Sequence, residues 1–371
     1  MTTLHELYEN YGQSPWIDNI RRDWLNDGTL AQLVADGARG VTSNPAIFAK
    51  AFATSSAYDS LVREVGSRDP ETVFEALAVA DVRDACDVVR PVYDVSVIDH
   101  ADGLRRYTDG YVSLEVSPRL AHDTVGTVAA AQRLFDAVDR PNVMIKIPAT
   151  VEGLPAITEV LGRGINVNVT LIFSLQRYQA VLDAWAAGVA LALSNGHDIR
   201  HLASVASFFV SRVDAMVDDM LPGGDDRRGR VANAQVAAAY EAYLAHTHTD
   251  AVVELLAAGS QVQRPLWAST STKNPTYDEL LYVNSIVADE TVNTMPDPTL
   301  AATLAKGDFA TSLLRDATSR QQATALLASL EGLVSLDDVT LTLERDGVAA
   351  FIRSYDDLLA LVQEKLDKGQ Q

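Results

Sequence analysis

Cysteine is almost missing from this chain of 371 residues, where Cys86 stands alone. No intrachain disulfide and no cysteine-rich metal site can form, and a reducing cytoplasm is the compartment that fits. Lysine is scarce too: Lys50, Lys146, Lys273, Lys306, Lys365 and Lys368 are all there are. Positive charge is in deficit, since 50 acidic residues face 30 basic ones and leave a net charge of −20. Nucleic acid and anionic membrane surfaces need a basic face and are excluded as partners; a small anionic substrate needs only a local cluster of cations. No stretch reaches the roughly 20 apolar residues of a membrane span, and the Ala-rich segment from Ala180 to Leu193 contains Asp183. The opening MTTLHELYENYGQSPW has no apolar run and does not read as a secretory leader. No G-x-G-x-x-G follows a strand, and G-x-x-x-x-G-K-[ST], G-x-S-x-G and H-E-x-x-H are all missing. His246 and His248 with Asp250 read as an exposed helix end rather than a metal site.

What is present is a globular composition, 47% hydrophobic and 22% charged. Short β-branched runs predict strands at Trp16–Ile20, Gly40–Ser43, Tyr111–Glu115, Val143–Ile147, Val167–Ile172, Leu202–Phe208, Pro265–Ser269 and Thr291–Thr294. Between them, apolar spacings of three and four predict helices at Leu30–Ala38, Glu71–Val89, Thr127–Val138, Leu154–Leu161, Leu175–Leu193, Val231–Ala258 and Tyr277–Val287, with a final one at Asp356–Lys368. Eight strands alternating with helices predict an α/β fold, a (β/α)8 TIM barrel, with a doubly wound sheet as the alternative. The reading is a single domain over 1–371. Its insertions fall at Lys50–Arg68 and Leu221–Arg230, and a helical extension follows Pro296.

In such a barrel, chemistry gathers at the C-terminal strand ends. Lys146 sits in Val-Met-Ile-Lys-Ile-Pro between two isoleucines. A lysine so placed is paired, snorkels to solvent, or has its pKa depressed and becomes a nucleophile for a Schiff base. Asp18, in Pro-Trp-Ile-Asp-Asn-Ile, is a general acid/base or an arginine's buried partner. Thr42 and Asn44 share a side in Gly-Val-Thr-Ser-Asn-Pro, where Ser43 is the expected helix cap. Ser113 and Glu115 share a strand face, and Glu115 has Arg119 as a possible ion-pair partner. Asn166, Asn168 and Thr170 alternate with Val167, Val169 and Leu171, which puts amides and a hydroxyl on one side of a strand covered by helices on the other. Ser207 and Arg212 follow the sixth strand; Ser269, Ser271 and Lys273 follow the seventh. Arg212 and Lys273 offer charge-assisted bonds to a phosphate, with Thr272–Asn274 as the expected start of the next helix.

Three segments together carry a resemblance: Val-Thr-Ser-Asn-Pro, Val-Met-Ile-Lys-Ile-Pro and Asn-Val-Asn-Val-Thr-Leu-Ile-Phe-Ser. From about Trp16 to at least Pro296 the chain resembles transaldolase, and Trp-Ala-Ser-Thr-Ser-Thr-Lys-Asn-Pro is similar to the longer bacterial branch. The resemblance implies a class I aldolase barrel of the pentose phosphate pathway. Such an enzyme moves a dihydroxyacetone unit between sugar phosphates without metal or organic cofactor, as a monomer or homodimer. It also implies roles. Lys146 would be the Schiff-base lysine and Asp18 the acid/base for C–C cleavage. Glu115 and Thr170 would position a catalytic water. Asn44, Asn168 and Ser207, with Thr42 nearby, would hold the dihydroxyacetone hydroxyls. Arg212, Ser271 and Lys273 would clamp phosphate. Many family members have arginine where Lys273 stands, so this clamp would present a point charge rather than a fork. The alternatives are a Schiff-base aldolase that releases free dihydroxyacetone and a non-catalytic sugar-phosphate-binding barrel.

Overall fold

The computed structural model describes residues 2–99 and 105–368. Eight strands close a barrel: β1 (Gln13–Ile17), β2 (Gly40–Val41), β3 (Tyr111–Glu115), β4 (Val143–Pro148), β5 (Val167–Ile172), β6 (Ser204–Phe209), β7 (Gln263–Ala268) and β8 (Thr291–Met295). Every neighbouring pair is parallel, and β1 closes the ring by pairing with both β2 and β8. Helices cover the outside, so β4 through β7 are buried on both faces. The (β/α)8 expectation holds. Among the described residues, no helix is long and apolar enough to cross a membrane.

Five helices matter for the site: α1 (Pro45–Thr54), α2 (Pro70–Val95), α3 (Thr124–Val138), α4 (Ser211–Met220) and α5 (Leu336–Lys368). The last is far longer than the Asp356–Lys368 piece legible in the sequence. It packs on α1, α2, α4 and β5. Four contacts hold it: Arg177 with Glu344 at 3.1 Å, Arg119 with Asp356 at 2.6 Å, Lys365 with Asp59 at 2.5 Å, and Tyr355 Oη donating to Glu71 at 2.8 Å. Gly347 permits the approach to β5, because a β-carbon there would meet Leu171 at 3.2 Å.

Several local expectations need correction. The first strand begins at Gln13 and ends before Asp18. Polar Gln13 and Ser14 are fully buried, and Gln13 bonds Ile286 O and Thr291, so apolar content alone misplaced this strand. The helix expected over Val231–Ala258 is two, Val231–Thr247 and Asp250–Ala257. His246 lies on the first, buried against Trp185 rather than exposed. Tyr277–Val287 is helical only over Leu281–Ser285, and Thr272–Asn274 starts no helix. There Asn274 and Asp278 accept from backbone N–H groups two residues ahead, a local competition that turns win. A hairpin of Val97–Asp99 with Arg105–Tyr107, absent from the sequence reading, precedes β3.

The end of the barrel opposite the site is pinned by Asp109, fully buried at the entry to β3. It accepts from Ser14 Oγ (2.7 Å), Trp16 Nε1 (3.0 Å), Arg39 Nε (2.8 Å) and Arg264 Nη1 (3.3 Å). Burial pushes its carboxyl upward, but Arg264 and Arg39 outweigh that and hold it below the ordinary aspartate value.

Candidate active site

Strand register builds the centre of the site. Glu115 of β3 is paired with Lys146 of β4, and Lys146 with Asn168 of β5, so three polar side chains from adjacent strands form one row. The lysine and glutamate side chains are only 5% and 3% exposed, with Nζ 3.5 Å from Glu115 Oε2. Nζ also donates to Ser43 O at 3.0 Å. Asn168 is fully buried; it donates to Ser113 Oγ at 2.9 Å and accepts from Ser207 Oγ at 2.7 Å.

Above this row lies a pocket of about 260 Å³, lined by Asp18, Thr42, Asn44, Lys146, Thr170, Ser207, Arg212, Ser271 and Lys273 among others. Nine of the eleven residues to which the resemblance assigns roles therefore meet on one cavity, and Glu115 and Asn168 contact Lys146 and Ser207 beside it. A larger cavity of about 690 Å³ sits among Tyr8, His248, Arg264 and Glu290. Its arginine is already saturated by Asp109, Ser14 and backbone carbonyls, so volume alone does not mark a site.

Asp18 follows β1 and accepts from Thr42 Oγ1 at 2.8 Å, while Thr42 Oγ1 lies 2.6 Å from Thr294 Oγ1. Burial raises the Asp18 pKa against the opposing pull of Lys146 and Thr42. Burial also pushes Glu115 up, to about 7, against the pull of Lys146. A carboxyl that gains and loses a proton near neutrality suits proton transfer in both directions. The alternative pairing of Glu115 with Arg119 is not made; Arg119 turns outward to Asp356 and Glu71. Helix capping falls to Asn44, which accepts from Ile47 N at 3.0 Å, whereas Ser43 Oγ donates to Ser113 O.

Two cations stand on the same pocket. Desolvation lowers the Arg212 pKa; desolvation and then the charge of Arg212 lower that of Lys273. Lys273 Nζ donates to Ser271 Oγ at 2.7 Å. Cations that disfavour each other in a partly desolvated pocket gain from an anion placed between them. Leu171 and Ser269 adopt positive φ, 61° and 56°, at the ends of β5 and β7 beside the pocket. Such strain in non-glycine residues concentrates at functional sites.

Sequence reasoning missed Phe351, Thr294 and Phe209, which also line the pocket. Phe351 comes from α5, with its ring centroid 5.8 Å from Lys146 Nζ. It precedes the Asp356–Lys368 helix read from the sequence, and no local signal separates it from core.

Glu115 carries a testable pH dependence. Folded, it holds its proton up to about pH 7, against a reference of 4.5. This contribution to stability is full below pH 4.5, and is lost as pH rises through 7. Glu115→Gln cannot titrate, so its melting temperature should fall less between pH 5 and pH 8 than that of the parent protein. Equal falls would contradict the assigned shift.

Fold and pocket together define the class: a (β/α)8-barrel enzyme centred on a buried lysine. The chain belongs to the transaldolase/fructose-6-phosphate aldolase family, whose model matches residues 15–362. It is 46% identical to a transaldolase of Saccharopolyspora erythraea over 98% of both chains. It is 48% identical to a transaldolase of Acidothermus cellulolyticus, covering 97% of this chain and 96% of that one. It is also 48% identical to Transaldolase 1 of Streptomyces coelicolor, covering 96% of this chain and 93% of that one.

Proposed function

We propose that the chain transfers a dihydroxyacetone unit from a ketose phosphate, sedoheptulose 7-phosphate or fructose 6-phosphate, to an aldose phosphate, through a Schiff base on Lys146. The observation that carries the reading is one buried amine, 3.5 Å from a carboxyl with a pKa near 7, on a pocket shared with Asp18 and two cations. The Lys146 amine, once neutral, adds to the C2 ketone. Glu115 and Thr170 would hold the water that relays protons, a reading supported by Thr170 Oγ1 and both Glu115 oxygens being buried without a hydrogen-bond partner of good geometry. Loss of water leaves an iminium. Asp18 accepts the C4 hydroxyl proton, C3–C4 breaks, and its electron pair passes into the iminium to give an enamine. The aldose phosphate leaves. The enamine then adds to the aldehyde of the acceptor, and hydrolysis frees the lysine. Asn44 and the Ser113–Asn168–Ser207 chain would hold the hydroxyls, and Arg212, Ser271 and Lys273 the phosphate. The extension after Pro296 is read as part of the same catalytic unit, because Phe351 borders the lysine.

Incubation with fructose 6-phosphate and borohydride, followed by mass spectrometry, tests the reading. An adduct on Lys146 supports it, and none sinks it. The family's second activity, an aldolase releasing free dihydroxyacetone, is separated by acceptor dependence: full turnover of donor alone would favour it. Arg212→Ala should raise the KM for the phosphorylated donor about 10- to 100-fold, the range of one lost charge-assisted hydrogen bond, with a smaller change in kcat. Steady-state kinetics check this; an unchanged KM would remove Arg212 from the phosphate contact. The compartment we propose is the cytoplasm, where a lone buried Cys86 stays reduced.

A further inference from the structure

Glu115 has a second side. Behind it, away from the substrate pocket, lies a separate cleft of about 260 Å³ between α2, α3 and α5, and Glu115 is part of its lining. By volume it has room for several waters. The polar groups of this cleft run outward in sequence. Glu115 is innermost; apart from its ion pair with Lys146, neither of its oxygens has a hydrogen bond of good geometry. Ser117 Oγ is likewise buried, beside the Tyr355 hydroxyl and without a hydrogen bond of good geometry. Tyr355 and Glu71, bonded at 2.8 Å, come next. At the mouth Arg119 lies 3.9 Å from Glu71, and Arg133 pairs with Glu75. Elsewhere the walls are small or apolar, including Ala78 and Ala130. Helix α5 divides the two spaces: Phe351 borders the substrate pocket, and Tyr355, one turn on, borders the cleft.

Schiff-base chemistry makes such a space useful. Dehydration of the carbinolamine sets free one water per substrate, and hydrolysis of the product iminium takes one back. At both of these steps a sugar phosphate is bound in the front pocket, so this water has no free path past it. We propose that the cleft behind Glu115 is the water site of the reaction: it receives the water expelled on dehydration, returns one for hydrolysis, and connects Glu115 to solvent through Ser117, Tyr355 and Glu71. The proposal rests on the Schiff-base reading of Lys146 and adds to it where the water goes.

Filling the cleft without touching the pocket tests it. Ala130→Met and Ala78→Met extend side chains from α3 and α2 into the space. Two rates are read with fructose 6-phosphate: iminium formation, from a borohydride quench time course, and exchange of the C2 oxygen with 18O-labelled water. Both rates should fall about tenfold in each variant, with the donor KM within twofold of the parent. Tyr355→Phe keeps the ring and guards against misfolding of the methionine variants; it should slow exchange about threefold. Folded variants with parental rates of iminium formation and exchange would overturn the proposal, as would a parental exchange rate in Tyr355→Phe if the methionine variants do not fold. Absence of any adduct in the parent protein would bring down the Schiff-base reading and this proposal together, whereas a normal parental adduct with unaffected variants removes only the cleft.

Discussion

Lys146→Ala should abolish turnover, lowering kcat on the order of 10⁴-fold or more, and should leave no borohydride-trappable adduct. A missing nucleophile is not replaced by its neighbours when the groups act as a unit. Here no substitute is at hand. The other lysine on the pocket is Lys273, held by Ser271, and both stand on the rim after β7 rather than in the row formed by Glu115, Lys146 and Asn168. Removal of the amine also strips Glu115 of the cation that opposes its upward shift, so its pKa should rise above about 7. The variant is expected to fold, because the hydrogen bond lost is one from Nζ to Ser43 O. Stopped assays, intact-mass spectrometry and a melting curve on the same preparation check turnover, adduct and folding. Retention of a tenth of the activity would end the covalent mechanism.

The second large effect is on stability and lies at the other end of the barrel. Asp109→Ala should destabilise the fold by about 3–5 kcal/mol, the cost of leaving buried charge uncompensated. Asp109 is the common acceptor for Ser14 and Trp16 of β1, Arg39 before β2 and Arg264 of β7. Its loss leaves two guanidinium groups close together with no shared counter-charge, and orphans the Trp16 N–H. The carboxylate is held below its ordinary pKa, so its stabilisation is present above about 3.8 and fades as pH falls below that. Denaturant unfolding near neutral pH should show the full cost. The folded fraction should keep its kcat, since none of these residues reaches the substrate pocket. A cost under about 1 kcal/mol would mean that neighbouring groups or water replace Asp109.

The extent to which the site was legible differs residue by residue. Asn168 and Thr170 were visible because strand alternation is local: a period of two places them on one face whatever the rest of the chain does. Lys146 was visible because a charged residue between two isoleucines is costly unless used. The eight strands and their order followed from the same patterns, although β1 was placed three residues late because its buried end is polar. Elsewhere local rules pointed the wrong way. Ser43 looked like the cap, and Asn44 is. The helix start at Thr272–Asn274 lost to side chains that bond their own backbone.

What the sequence determined by itself was therefore the alternation of elements and the set of polar side chains at strand ends, since both depend on neighbours along the chain. What only the tertiary structure decided was who meets whom. Arg119 is four residues from Glu115, yet the partner is Lys146, because parallel register sets residues 31 apart side by side while the chain after β3 carries Arg119 out to Asp356. Phe351 borders the site, and Tyr355 the cleft behind Glu115, only because α5 returns across the barrel, and Asp109 collects its four donors only because the ring closes. Contacts of that kind depend on closure of long loops and on register between strands, and neither leaves a periodic trace in the order of the residues.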